Sequence, residues 1–211
     1  MPVVSFADLA ARVLASAPRC GATRLVCVDG PSGSGKTVLA GRLVRAFGGP
    51  PLVHMDDLHP GWDGLARAVP LLHEWIIGPL TAGRPARYRR YDWDRGDYAE
   101  EHDLRTPSLL LIEGVGAGAR VIATHAVLLV WIEAPPTERL RRGMERDGEA
   151  YRPHWKRWAE QENAHFAAEG TRERADLQVD GAPDRPHAAE RELVVGFPSP
   201  GPRRVDSHRR R

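Results

Sequence analysis

Short, wholly apolar runs alternate with stretches whose apolar residues recur at helical spacing, and this rhythm fills most of the 211-residue chain. Arg24–Asp29 is β-branched and nearly all apolar, as a strand buried on both faces of a parallel sheet must be. Residues 37–47 then carry helical periodicity, closed by Gly48-Gly49. Further strands are predicted over residues 51–55, 109–112, 126–132 and 175–179. Helices are predicted over residues 65–77, interrupted by Pro70 and ended by Gly78-Pro79, and over residues 137–146 and 151–169. Near the start, Phe6, Leu9, Ala10, Val13 and Leu14 follow Ser5, a good N-cap, and read as a helix on the sheet edge.

Strands alternating with helices imply βαβ units, hence a three-layer α/β sandwich around a mostly parallel sheet of about five strands. Ligands in such folds bind outside the carboxyl ends of the strands. Three of those ends carry Asp29-Gly30, Asp56-Asp57 and Glu113-Gly114. No internal repeat is visible. From Gly181 onward the periodicity is broken by prolines at 183, 186, 198, 200 and 202, and the chain closes on Arg209-Arg210-Arg211. Residues 1–180 therefore read as one domain and residues 181–211 as a loosely ordered, solvated tail.

Composition adds exclusions. A net charge of +2 gives no argument for a nucleic-acid or membrane partner. No apolar run has the length of a membrane span, and the first residues lack the layout of a secretion signal. Cys20 and Cys27 are the only cysteines, and Cys27 sits in an apolar run, which favours buried thiols in a reducing cytoplasm over a disulfide framework. Self-association into a homo-oligomer stays open.

Chemistry enters with Gly30-Pro31-Ser32-Gly33-Ser34-Gly35-Lys36-Thr37, directly between the predicted strand and helix. This G-x-x-x-x-G-K-[ST] pattern places backbone N–H groups around a phosphate chain, a lysine on the β/γ-phosphates and a hydroxyl on Mg²⁺. Of thirty basic residues only Lys36 and Lys156 are lysines, so one of the two stands where the loop requires it. The cofactor set implied is ATP with Mg²⁺, with Gly30, Ser32, Gly33, Ser34, Gly35, Lys36 and Thr37 as its cradle. Neither lysine has an aspartate two residues later, as guanine reading by N-K-x-D needs, which disfavours a GTPase switch.

Glu113, ending an apolar strand before a glycine, is the candidate metal-side carboxylate beside Thr37; a plain helix-start glutamate is the alternative. Asp56 or Asp57 could accept the proton of an acceptor hydroxyl, or both could be turn formers. Arg142 and Arg146 stand four apart on a predicted helix flanked by Arg139 and Arg141, and fit a cationic lid as well as a solvated face. Tyr91, Asp92 and Trp93, within an aromatic and charged stretch, suit an acceptor pocket or a self-packed surface hairpin. Trp155, Trp158 and Phe166 read as core.

Together these residues resemble the uridine kinase-like group of P-loop nucleoside kinases, related to phosphoribulokinase, over roughly residues 24–180. The resemblance rests on Asp29 through Thr37, Met55-Asp56-Asp57-Leu58, Tyr91-Asp92-Trp93, Glu113-Gly114 and Arg139 through Asp147. It implies a P-loop NTPase fold with a helical lid and a phosphotransferase whose acceptor is a small molecule, a nucleoside such as uridine or cytidine. It assigns Asp56 to the acceptor hydroxyl, Asp57, Tyr91, Asp92 and Trp93 to the acceptor pocket, and Lys36, Arg142 and Arg146 to the transferring phosphate. The chain departs from the pattern in two places: Leu58-His59-Pro60-Gly61-Trp62 replaces the usual aromatic pair, and the histidine usual after the tyrosine–aspartate segment is absent near Arg95 and Asp97. Phosphotransfer therefore carries over better than uridine specificity.

Overall fold

The computed structural model describes residues 2–148 and 152–197. Tyr151, the first residue of the longest predicted helix, and the tail from 198 to 211 lie outside them. The central strand β2 (Arg24–Asp29) is flanked by β6 (Leu109–Glu113) and β7 (Ala126–Glu133), with β3 (Leu52–His54) and β8 (Leu177–Asp180) beyond them, all parallel. These five are the strands expected from the apolar runs.

The sheet is larger than expected, with seven strands in the order β1-β9-β8-β7-β2-β6-β3. The additions are β1 (Val3–Ser5) and β9 (Glu192–Phe197), both antiparallel at one edge. Residues 192–197 thus belong to the sheet, past the boundary expected at residue 180. Leu193, Val194 and Val195 are buried there, and that short apolar run was masked by the surrounding prolines.

Alternation along β2 builds two cores. Val26 and Val28 face α1 (Phe6–Ala15) and α2 (Lys36–Ala46), through Phe6, Leu9, Leu39 and Leu43. Leu25 and Cys27 face the other layer, through Leu72, Ile76, Leu80 and Ile122. That layer comprises α3 (Leu65–Leu72), a widened turn His73–Ile77, α4 (Gly78–Thr81) and α5 (Arg120–Ala123). Trimming a fully buried leucine such as Leu25 or Leu110 to alanine costs ~2–5 kcal/mol. Ser5 caps α1 by accepting from Asp8 N at 3.0 Å. The expected stop at Gly78-Pro79 does not occur: Ile77 and Gly78 keep helical backbone, and the widened turn runs straight into α4 with Pro79 in its first turn.

The segment 86–104 forms a hairpin, β4 (Ala86–Asp92) with β5 (Asp97–Leu104), off the main sheet. After β7 come α6 (Pro136–Asp147), α7 (Arg152–Glu169) and the short α8 (Thr171–Arg174). Cys20 and Cys27 are free and buried. Among the described residues no helix is long and apolar enough to cross a membrane.

Candidate active site

The strand ends of β2, β6 and β3 lie side by side, with Val28 and His54 both in register with Glu113. The phosphate loop leaves β2 and enters α2. Gly33 has φ 77°, and a Cβ there would come within 2.3 Å of the Arg139 carbonyl, so both conformation and space demand glycine. Lys36 is buried and its Nζ donates to the carbonyls of Gly30 at 2.8 Å and Pro31 at 3.1 Å. The first N–H groups of α2 have no intrahelical partner and face the same end. Ser34 Oγ and Arg139 Nε, both beside this loop, are buried without a hydrogen-bond partner among the described residues.

Asp29, at the strand end and first in the stretch that carries the resemblance, holds the loop in place. Its carboxylate accepts from the N–H groups of Gly30 at 2.7 Å, Gly116 at 3.2 Å and Gly118 at 2.8 Å. Burial raises its pKa to about 6, against the pull of those donors and of Lys36. The phosphate loop and the turn after β6 are thereby fastened to one group.

Thr37 Oγ1 donates to Glu113 Oε1 at 3.1 Å, which joins the two predicted metal-side residues. The same oxygen lies 2.6 Å from His54 Nδ1, a residue that no motif singled out. That hydrogen bond raises the His54 pKa, outweighing its partial burial. Among the described residues no three His, Cys, Asp or Glu side chains form a metal cluster. Mg²⁺ needs none, since it keeps most of its ligands as water and phosphate.

Asp56 and Asp57 sit in a single 3-10 turn, Met55–Asp57, and part company there. The Asp56 carboxylate stands 63% exposed in the cleft, with His59 Nδ1 3.6 Å from its Oδ1. Desolvation acts upward on its pKa, but His59 and the charges of Lys36 and Arg146 outweigh it and hold the group at about 2. Asp57 is half-buried and its pKa is raised, first by desolvation. The charges it feels include His54 at the end of β3 and His102 and Arg90 on the hairpin.

The arginine helix α6 divides likewise. Arg142 donates through Nη1 to the Gly33 and Ser34 carbonyls at 3.3 and 3.4 Å, and through Nη2 to Gly181 at 3.1 Å. Arg139 also reaches the loop, at the Ser32 carbonyl. Arg146 pairs with Asp147 at 2.6 Å while its charge acts on Asp56. Arg141 is bound to Glu138 and Glu145 on the exposed face.

The hairpin brings Trp93 over the cleft, where its Nε1 donates to the Asp56 carbonyl at 3.1 Å. Trp62 meets Trp93 edge-on at 5.0 Å and stacks on His154 at 4.5 Å. Tyr91 packs edge-on against Trp93. Asp92 does not join them: its Oδ1 accepts from Asp94 N and Arg95 N at 3.1 and 3.0 Å and closes the hairpin turn. Trp158, read as core, is buried yet reaches the phosphate loop, its Nε1 donating to Ser32 Oγ at 2.9 Å. Beside the first turn of α2 lies a cavity of about 250 Å³, lined by Val38, Arg142, Gly181, Pro183 and His187 among others.

Solved structures share this architecture. A possible uridine kinase from Bacillus stearothermophilus superposes with a TM-score of 0.56 at 22% identity, over 82% of this chain and 96% of that one. A provisionally assigned fructose transport system kinase from Silicibacter sp. TM1040 gives 0.50 at 21% identity, over 80% and 88%. No family model and no curated protein matches the chain. At these identities the likeness is one of fold: an α/β sandwich with a mostly parallel sheet.

Proposed function

We propose that the protein is an ATP-dependent phosphotransferase that moves the γ-phosphate to a hydroxyl of a small acceptor, a nucleoside such as uridine or cytidine. The observation that carries this reading is the position of Asp56: an ionised carboxylate open to the cleft and within the electrostatic reach of both Lys36 and Arg146. A hydrolytic site has no need of a carboxylate aimed at an alcohol.

In this reading Lys36 exchanges its loop carbonyls for the β/γ-phosphates, and the N–H groups of the loop beyond Ser32 and of the α2 N-terminus hold the rest. Ser34 Oγ and Arg139 Nε, buried and unpartnered, gain acceptors when phosphate oxygens arrive. The cavity beside α2 takes the base. Thr37 and Glu113 would hold Mg²⁺, whose contribution is to neutralise phosphate charge. The acceptor oxygen forms the new bond to the γ-phosphorus as the β–γ bridge breaks and ADP leaves. A carboxylate held at about 2 is a weak base, so Asp56 orients the hydroxyl and takes its proton late, as suits a loose transition state. Arg142 and Arg146 supply positive charge to the transferring group.

A second reading, a kinase of another hydroxylated metabolite such as a sugar or nucleotide, draws on Asp92. Its carboxylate is spent on the hairpin turn, and Arg95 and Asp97 stand where a nucleoside-holding histidine is usual. ADP release measured with a panel of nucleosides, nucleotides and sugars decides between them. One acceptor class should raise turnover well above the acceptor-free rate. If none does, the protein is a nucleotide-binding regulatory ATPase and the transferase reading fails.

A further inference from the structure

Glu162 lies on α7, one turn after Trp158, and is only 2% exposed. A buried carboxylate needs donors or a cation to replace its lost hydration. Its Oε1 accepts three hydrogen bonds, from Ser32 N at 2.9 Å, Ser32 Oγ at 2.5 Å and Trp158 Nε1 at 2.8 Å. Two of these donors belong to the third residue of the phosphate loop, 130 positions earlier in the chain. Three donors on one buried oxygen make a firm hold on a loop tip whose neighbours are Pro31 and Gly33.

The contacts continue in the other direction. Trp158 meets His59 edge-on with ring centroids 5.2 Å apart, and His59 is fully buried beside Asp56. Ser32, Glu162, Trp158, His59 and Asp56 form one unbroken wall from the phosphate loop to the acceptor side. Trp158 also donates directly to Ser32 Oγ at 2.9 Å, so two side chains of α7 hold the loop tip. Because the Ser32 N–H already serves α7, its task here is fixing the loop tip.

We infer that Glu162 is a positioning residue that ties the tip of the phosphate loop to the wall carrying Asp56, and so sets the distance between donor phosphate and acceptor hydroxyl. The inference rests on the phosphotransferase reading for its kinetic consequence but not for its structural one. A displacement of about 1 Å between reacting groups costs on the order of 100-fold in rate, so loss of the tie should fall on kcat. Glutamine offers a carbonyl oxygen of equal reach and should preserve most of the geometry.

The test uses the full chain and the variants Glu162→Ala, Glu162→Gln and Ser32→Ala. Without ligand, amide hydrogen exchange over residues 32–34 should quicken about 10-fold in E162A and stay within about 3-fold of the parent in E162Q. With MgATP and the acceptor found in the panel, E162A should lose about 30- to 100-fold in kcat while KM for ATP stays within about 3-fold. E162Q should recover to within about 5-fold of the parent, and S32A, which removes one of the three donors, should fall between. S32A keeps the loop N–H and decides the matter if E162A does not fold. Unchanged exchange in the loop would overturn the inference, as would equal losses in kcat and ATP affinity that glutamine fails to restore. Should no acceptor raise turnover, the phosphotransferase reading falls while the exchange measurement still judges the tie.

Discussion

The two halves of the cleft are made in opposite ways. The phosphate side is backbone: a glycine loop, the exposed N–H groups of α2 and three N–H donors fixed on Asp29. The acceptor side is side chain: Trp62, Trp93, His154, Trp158 and Tyr91 packed on one another, with Asp56 at their edge. Backbone donors cannot be altered by substitution, so in the proposed function the first half is suited to one chemistry, the phosphate chain. The second half can change its occupant by changing rings. Phosphate chemistry is thus the better-founded part of the proposal and acceptor identity the more variable one.

The sharpest break between the halves compares Lys36→Ala with Asp56→Asn. K36A should lose ATP binding and turnover together, with kcat/KM down by more than about 1,000-fold. D56N should keep ATP affinity within about 3-fold while acceptor-dependent turnover drops ~100- to 1,000-fold. Isothermal titration alongside steady-state kinetics reads both. Equal loss in D56N would place Asp56 among the structural or metal-side groups instead.

A smaller effect separates two arginines on one helix. Arg142→Ala removes a guanidinium seated on the Gly33 and Ser34 carbonyls and should cost ~10- to 100-fold in kcat. Arg141→Ala removes exposed ion pairs only and should leave kinetics within about 2-fold. Matching losses in both would return α6 to the role of a solvated face.

The remaining effect is on stability rather than rate and concerns the fastening of the loop. Asp29 titrates near 6 in the fold and near 3.9 when unfolded, so between those values the folded state binds the extra proton. Stability contributed by this group is therefore present at low pH and lost as pH rises through that window, by up to ~3 kcal/mol. Urea unfolding at several pH values from about 4 to 7 should show that limb in the parent and not in Asp29→Asn. A parent whose stability rises through the window relative to the variant contradicts it.

What the sequence disclosed follows the same division. The phosphate loop is eight contiguous residues, and Glu113 announces itself as an acid ending an apolar run. The five parallel strands were visible because burial on both faces leaves an unbroken apolar signature. Asp29, His54, His59 and Glu162 were not visible as site residues. Parallel register brings His54 to Glu113, and a helix 130 positions downstream brings Glu162 to Ser32, neither of which leaves a local pattern. Asp92 was misplaced for the converse reason, since a carboxylate next to aromatics looks the same whether it faces a ligand or closes a turn. Trp158 satisfied the expectation of burial while its single polar atom did something else.

The edge formed by β1 and β9 bears on how the molecule comes into being. Val3 pairs with Val194, Val4 with Leu193 and Ser5 with Glu192, and Val195 N donates to the Pro2 carbonyl. These partners are separated by nearly the whole described chain, so the loop they close is the longest in the fold, and such contacts form late. During synthesis the phosphate loop and its strand emerge early and can find β6 and β7 well before residue 192 leaves the ribosome. Until then β1 has no neighbour, and the free edge of β8 is exposed to any passing strand. On this topology the zipping of that seam should come late in assembly, with the exposed strand edges a hazard until it does.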